Sequence, residues 1–507
     1  MKKSLVMLFI LACTFYMIPS AVSAAPSAKA YEENIYDILV DRFNNGGQVL
    51  SEQVDLKDPK AYHGGDLKGI IEKLDDLQSL GFTMLSLSPI MANAPGAYEG
   101  YQPVDFKKLE KQFGSMNDLK KLVKEAHKRK MKIMLEFPPS YVSKESNLYK
   151  SPDKQDWFKG GTSSSTIKKA PWLENTVVIN QDNPDAAAYL MASADFWIDQ
   201  AGIDGLKIVA ADQASHRFLH AFTDHVKQTK PGLILAASTL SGHDAKLIRD
   251  QQFDLVENDT VHQAVANTFL KPDQPVSRIY DTWEKSQNKG GLVFVDDKFS
   301  KRYTEAFAEN GRNTMTVWKL ALTYLYTAPG VPIIYQGTEI PMLGKDYPDN
   351  QHLVDFNAGD SDMKEFFTRI SSLRSQFPAL RHGDFSMVGS DNGMSVFKRT
   401  YKDETVYIAI NNDSESRAVT IDGEDSGGRL RGLLGDNLVG EKNDQYKIGL
   451  ARETAEVYVI ESDKGLNWGF ILPIVIIFLA FFICSDRAEH ETEKAQRRRG
   501  CLINLEL

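Results

Sequence analysis

Carboxylates near the ends of strand-like segments are this sequence's main candidates for chemistry. Glu99, Glu136, Asp212, Asp296 and Asp297 all stand in such places, and two carboxyls about 5–5.5 Å apart can share the work of acid and nucleophile. Their plainer reading is as solvated loop residues or partners that hold other groups in place. His63 and Asp66, in YHGGD, could form an acid–base pair, but Asp66 stands where a helical pattern begins and reads better as its cap. His216, His220 and His225 follow one another at four and five residues, which leaves His225 off the face of the other two. A solvated helix surface therefore fits them better than a metal site. Ser238 has no identifiable base for acyl transfer, and no phosphate loop, zinc spacing or Ser/His/Asp order stands out. The segment GIDGLKIVAADQAS (202–215) ends its apolar run on Val209, a side chain that can neither give a proton nor attack.

Elements that could position these groups alternate along the chain. Apolar runs that read as buried parallel strands are NIYDILV (34–40), TMLSLSP (83–89), KIMLEF (132–137), GLKIV (205–209) and LILAAS (233–238). DLVE (254–257), GLVFVD (291–296) and VPIIYQG (331–337) complete eight. Amphipathic helices lie between them. One places Leu67, Ile70, Ile71, Leu74, Leu77 and Leu80 on a single stripe and stops at Gly81. Eight such units predict an α/β fold, a (β/α)8 barrel over 31–384, with polar, irregular residues 142–180 inserted after the third strand. After 384 the pattern turns to alternation, as in TVYIAINN and AEVYVIES, and predicts a β-sandwich over 385–462.

Composition fits a globular chain of 507 residues: 42% hydrophobic, 25% charged, with a formal charge of -9 that argues against a nucleic-acid partner. The three cysteines, Cys13, Cys484 and Cys501, leave the body without a disulfide or thiolate metal site. Residues 1–24 carry the pattern of a signal peptide, with Lys2 and Lys3 before an apolar run and small residues at 22–24. Residues 466–484 are apolar and long enough for one transmembrane helix, and the basic 485–507 tail predicts a cytoplasmic side. These segments predict a plasma-membrane protein with a single-pass anchor and an extracellular ectodomain.

Longer motifs bring a resemblance. IYDILVDRFNNG, YHGGDLKGIIEKLDDLQSLGFTMLSLSPI, FGSMNDLKKLVKEAHKRKMKIMLEF, APGVPIIYQGTEIPMLG and FPALRHGDF match, in order, segments of glycoside hydrolase family 13, the α-amylase family, over roughly 33–460. The resemblance implies that 142–180 is the family's small domain B. It also implies where catalytic acids would stand: an aspartate ending strand four, a glutamate after strand five and an aspartate after strand seven. Here those positions hold Val209, Ser238 (Thr239 if the register slips by one) and Phe299. Lys207 stands for the family's arginine, Lys298 for the histidine before the third aspartate, Glu99 for a histidine that contacts the sugar, and Tyr141 for another histidine. Ser140 replaces the asparagine that commonly binds calcium.

From these replacements the sequence predicts no catalytic residue, no metal, no cofactor and no enzyme activity. Its first functional reading is a membrane-anchored, non-catalytic scaffold whose partner is an integral-membrane or cell-surface protein. Two alternatives stay open: a carbohydrate-binding surface receptor, and a surface-anchored α-glucan hydrolase with a non-standard catalytic pair. An exposed platform of Tyr149, Trp157, Phe158 and Trp172 would mark a sugar-binding surface, and a wide apolar patch would mark a docking face.

Overall fold

The computed structural model describes residues 29–47, 54–162, 170–241, 253–423 and 428–461. Eight parallel strands follow in sequence order: β1 (Ile35–Ile38), β2 (Met84–Leu87), β3 (Lys132–Phe137), β4 (Gly205–Ile208), β5 (Ile234–Ala237), β6 (Leu255–Val256), β7 (Leu292–Val293) and β8 (Val331–Tyr335). β1 pairs with both β2 and β8, and a bridge between Glu257 and Leu292 joins β6 to β7. The ring is thus closed, as a (β/α)8 barrel requires.

Residues two apart on a strand share a face, and the inner face changes character along its length. Ile35, Met84, Met134, Ile234, Leu255 and Ile333 form an apolar cluster inside the ring. Two residues further along β1, β2, β3 and β4, the same face carries Asp37, Ser86, Glu136 and Lys207, all buried. The lower barrel is a packed core and the upper layer is charged. Outward residues such as Tyr36, Leu85, Leu135, Leu206 and Ile208 join the helices in the large core.

The helices start and stop where local chemistry dictates. Asp66 caps Leu67–Ser79 by accepting from Gly69 N–H at 2.6 Å, as its place in the sequence predicts. Ser115 and Asp118 form a reciprocal capping box for Met116–Lys128. Gly202 ends Pro184–Ala201 in a left-handed conformation (φ 73°), which glycine adopts without strain.

Between β3 and β4, a small sheet forms from Tyr141–Ser143, Phe158–Thr162 and Thr176–Ile179, with the last strand in the middle. After Pro378–His382 come eight antiparallel strands, from Asp384–Asp391 to Thr454–Glu461, around Val396, Tyr407, Ile448 and Tyr458. This β-sandwich is fastened to the barrel by polar side chains. Arg399 donates to the Thr327 and Gly383 carbonyls, and Arg312 to Asn412 Oδ1.

Candidate active site at the barrel mouth

The charged layer is the floor of a cavity of about 270 Å³ at the C-terminal ends of the strands. Two lysines hold three carboxylates there. Lys298 Nζ bonds Asp37 Oδ2 and lies 2.9 Å from Glu136 Oε1. Lys207 Nζ lies 3.3 Å from the same Glu136 oxygen and 2.7 Å from Glu257 Oε1. Tyr101 OH donates to Glu136 Oε2 at 2.5 Å. Burial disfavours charge on Lys207, but Glu257, Asp37 and Glu136 outweigh it and hold the ammonium well above its ordinary pKa. Burial likewise opposes charge on Asp37, yet Lys298 and Lys207 prevail and keep its carboxyl below the usual range. At Glu257 burial wins over Lys207 and pushes the carboxyl up to about 7. Asp259 also lines the cavity, and its Oδ2 accepts from Thr239 Oγ1 at 2.5 Å.

Val209, Ser238, Phe299, Lys207 and Lys298 all line this cavity. The sequence therefore marked residues that converge in space. Val209 leaves β4 just before Ala210, whose φ of 54° is a left-handed turn at a non-glycine residue. It packs in a cluster with Tyr101, Tyr141 and Trp172. Tyr101 stacks on Trp172 at 5.2 Å and meets Phe299 at 5.3 Å, so aromatic rings wall one side of the mouth.

Three marked residues stand outside the cavity lining. Tyr141 and Ser140 are buried where the inserted sheet departs, and Gln181 Nε2 bonds to Ser140 Oγ at 3.4 Å. Glu99 is buried beside Tyr347 and Arg42, and burial raises its carboxyl to about 7.

Of the other carboxylates, Asp212 ties down the loop after β5 by accepting from Leu240 N–H and Ser241 N–H at 2.9 Å. Asp296 accepts from Tyr303 N–H at the start of Tyr303–Ala308. Asp297 lines the cavity and accepts from the Phe299 and Ser300 amides at 2.7 Å. Asp37, Glu257 and Asp259 were not singled out from sequence. The available signal was a charged residue inside or at the end of an apolar run, as in NIYDILV and DLVE.

Residues 37–378 match the model of the α-amylase catalytic domain, and 383–458 that of the α-amylase C-terminal domain. The chain belongs to the α-amylase family. It is 37% identical to an Anoxybacillus α-amylase of known structure (TM-score 0.81), a match covering 86% of this chain and 99% of that one. It is also 37% identical to the α-amylase of Geobacillus thermoleovorans in complex with acarbose (TM-score 0.79), over 85% and 98% of the two chains. Among curated relatives, a beta/alpha-amylase of Paenibacillus polymyxa is 28% identical over 84% of this chain, which spans 38% of that protein's length. A cyclomaltodextrinase of Geobacillus thermopakistaniensis is 27% identical over 84% of this chain and 76% of its own.

These findings correct three expectations. The reading as a non-catalytic scaffold, and with it the expectation of no enzyme activity, took the residues at three positions to stand for the whole site. The pocket contains five other carboxylates, and the chains it resembles are named as amylases and a cyclomaltodextrinase. The placement as a single-pass plasma-membrane ectodomain is corrected too. Among the described residues no helix is long and apolar enough to cross a membrane; residues 1–24 and the 466–484 and 485–507 segments lie outside them. Large exposed apolar side chains among the described residues are Leu56, Leu343 and Leu438. The inserted region does not present an aromatic platform: Trp172 is buried, while Tyr149, Trp157 and Phe158 are half-buried against the core.

Proposed function

We propose that this chain is a glycosidase acting on α-glucans at the barrel-mouth pocket, with a carboxylate pair different from its family's. On this reading Val209, Ser238 and Phe299 fill the family's catalytic positions, and Glu99, Ser140, Tyr141, Lys207 and Lys298 its neighbouring ones. The inserted region at 142–180 walls the site, and the sandwich after 384 supports the barrel. The observation that carries the proposal is Glu257, a largely buried carboxyl raised to about 7 at the edge of a cavity it shares with Asp259. A carboxyl with that acidity can stay protonated near neutral pH and deliver its proton to a leaving glycosidic oxygen. Lys207 holds one oxygen of Glu257 and leaves the other for that proton. Asp259 is the partner carboxylate, facing the positive charge that develops at the anomeric carbon. The likeness to two α-amylases at 37% identity supports glucan as the substrate class.

The test is release of reducing sugar from maltoheptaose, a cyclomaltodextrin and soluble starch by the purified chain. Turnover is expected on at least one, and Glu257→Gln should lower it by about 10²-fold or more. Folded protein without turnover on any of the three, or turnover unaffected by Glu257→Gln, refutes the proposal.

A further inference from the structure

The pocket's charge goes beyond what a neutral sugar needs. Five carboxylates line it, from Asp37, Glu136, Glu257, Asp259 and Asp297, against the ammonium groups of Lys207 and Lys298. Each lysine is already shared between two floor carboxylates. With Glu257 protonated as the acid, the floor balances two anions against two cations, and the negative excess comes from the two rim aspartates, Asp259 and Asp297. A second observation points the same way. Asp37 Oδ1 is buried and lacks a hydrogen bond of full geometry among the described residues, the nearby Ser86 hydroxyl giving it only weak support, although its residue lines the cavity. A buried carboxylate oxygen without a full donor is costly, and a ligand with N–H donors would supply one. Phe294, Phe299 and Tyr101 also line the cavity, and aromatic faces attract a cation held against them.

Resting on the carbohydrate reading of this pocket, we infer that it selects α-glucosides carrying a cationic nitrogen, amino sugars in chemical class, over their neutral counterparts. A protonated amine offers N–H donors to the floor and rim carboxylates and offsets their excess charge, whereas a hydroxyl offers one donor and no charge. A carboxylate-bearing sugar would add repulsion. The preference thus follows ligand charge: amine, then hydroxyl, then carboxylate.

The experiment is titration calorimetry of the full chain with maltotriose, its 2-amino-2-deoxy and 6-amino-6-deoxy derivatives, and its 6-carboxyl derivative, at pH 6.5. At least one amine is expected to bind about tenfold more tightly than maltotriose, with an advantage that shrinks in high salt. The carboxyl derivative should bind most weakly. Asp297→Asn keeps the acceptor for the Phe299 and Ser300 amides, so the turn should persist; this variant should lose part of the amine's advantage over maltotriose. Equal affinities across the series, or maltotriose binding best, overturn the inference and leave the glucan proposal standing. If no derivative binds, neutral or charged, the carbohydrate reading falls and takes the inference with it.

Discussion

Replacing Lys298 with methionine tests the electrostatic architecture of the floor directly. The ammonium is 3% exposed and joins Asp37 to Glu136, its separation from Glu136 Oε1 being 2.9 Å. At an effective dielectric of about 20, one such contact has a gross attraction of ~6 kcal/mol. Methionine keeps most of the side-chain volume but leaves the three floor carboxylates with Lys207 alone. Breaking a buried pair from one side costs about 3–5 kcal/mol, because the remaining charge is uncompensated. The cost should depend on pH with a definite sign. In the native chain Asp37 is held below its ordinary pKa, so its contribution to stability is present above the unfolded carboxylate range and is lost as pH falls through the folded value. Without Lys298, burial dominates and raises the folded value above the unfolded one. The variant is then most penalised at alkaline pH and recovers as the floor takes up a proton in acid. Urea denaturation followed by tryptophan fluorescence, at pH 8 and pH 5, measures both effects. Lys301→Met is the control, since Lys301 forms a solvent-exposed pair with Glu309 at 2.9 Å, where solvent screening leaves little to lose. A Lys298→Met loss at pH 8 within about 1 kcal/mol of that control, or a loss that grows in acid, refutes the reasoning.

Glu99, raised to about 7 by burial, makes the native fold lose stability as pH rises from the unfolded carboxylate range through neutrality, by about 3 kcal/mol in all. Glu99→Gln should flatten that slope in denaturation curves at pH 5 and pH 8, and an unchanged slope would contradict it. Val209→Asp puts a carboxyl among Tyr101, Tyr141 and Trp172 and should cost about 2–4 kcal/mol at pH 8 by the same assay; a neutral effect would mean the site is wetter than its packing implies. Chelation with EDTA should move the melting temperature by no more than about 2 °C, given serine at position 140 where the family commonly has an asparagine ligand. A larger drop would reveal a bound cation.

The barrel was legible because each strand is buried on both faces and reads as an apolar run. The shortest strands were overdrawn. DLVE and GLVFVD pair as strand only at Leu255–Val256 and Leu292–Val293, because the chain leaves the ladder as it reaches the polar mouth. Helix starts were legible through Asp66, whose side chain meets an amide three residues on. The site was half legible. Val209, Ser238 and Phe299 were picked out by their positions in a family pattern, and they do share one cavity. Glu257 and Asp37 were passed over because a pattern asks what occupies its own positions, not which other acids arrive beside them. Lys207 and Lys298 read as replacements for a family arginine and histidine, whereas in space they bind Asp37, Glu136 and Glu257 to one another. Only the closed barrel brings β1, β3, β4 and β6 around one point, so no local stretch could reveal that network.

The network also bears on why non-enzyme was the wrong conclusion to draw from three missing acids. A barrel mouth with no ligand to meet gains stability most cheaply by filling with apolar side chains, since even a well-paired buried ion group seldom outperforms them. That filling is partial: Val209, Tyr101, Trp172, Tyr141 and Phe299 pack together at the mouth. The floor beside them keeps three carboxylates and two lysines in mutual contact, and Asp259 and Asp297 also line the cavity. Protein atoms alone leave this arrangement with excess negative charge at the rim and a weakly supported oxygen on Asp37. An eroded site would leave isolated charges or none; this one is internally bridged and still open. On the proposed glucan reading, the packed cluster narrows where a chain can lie, and the charged groups bear on what it would carry.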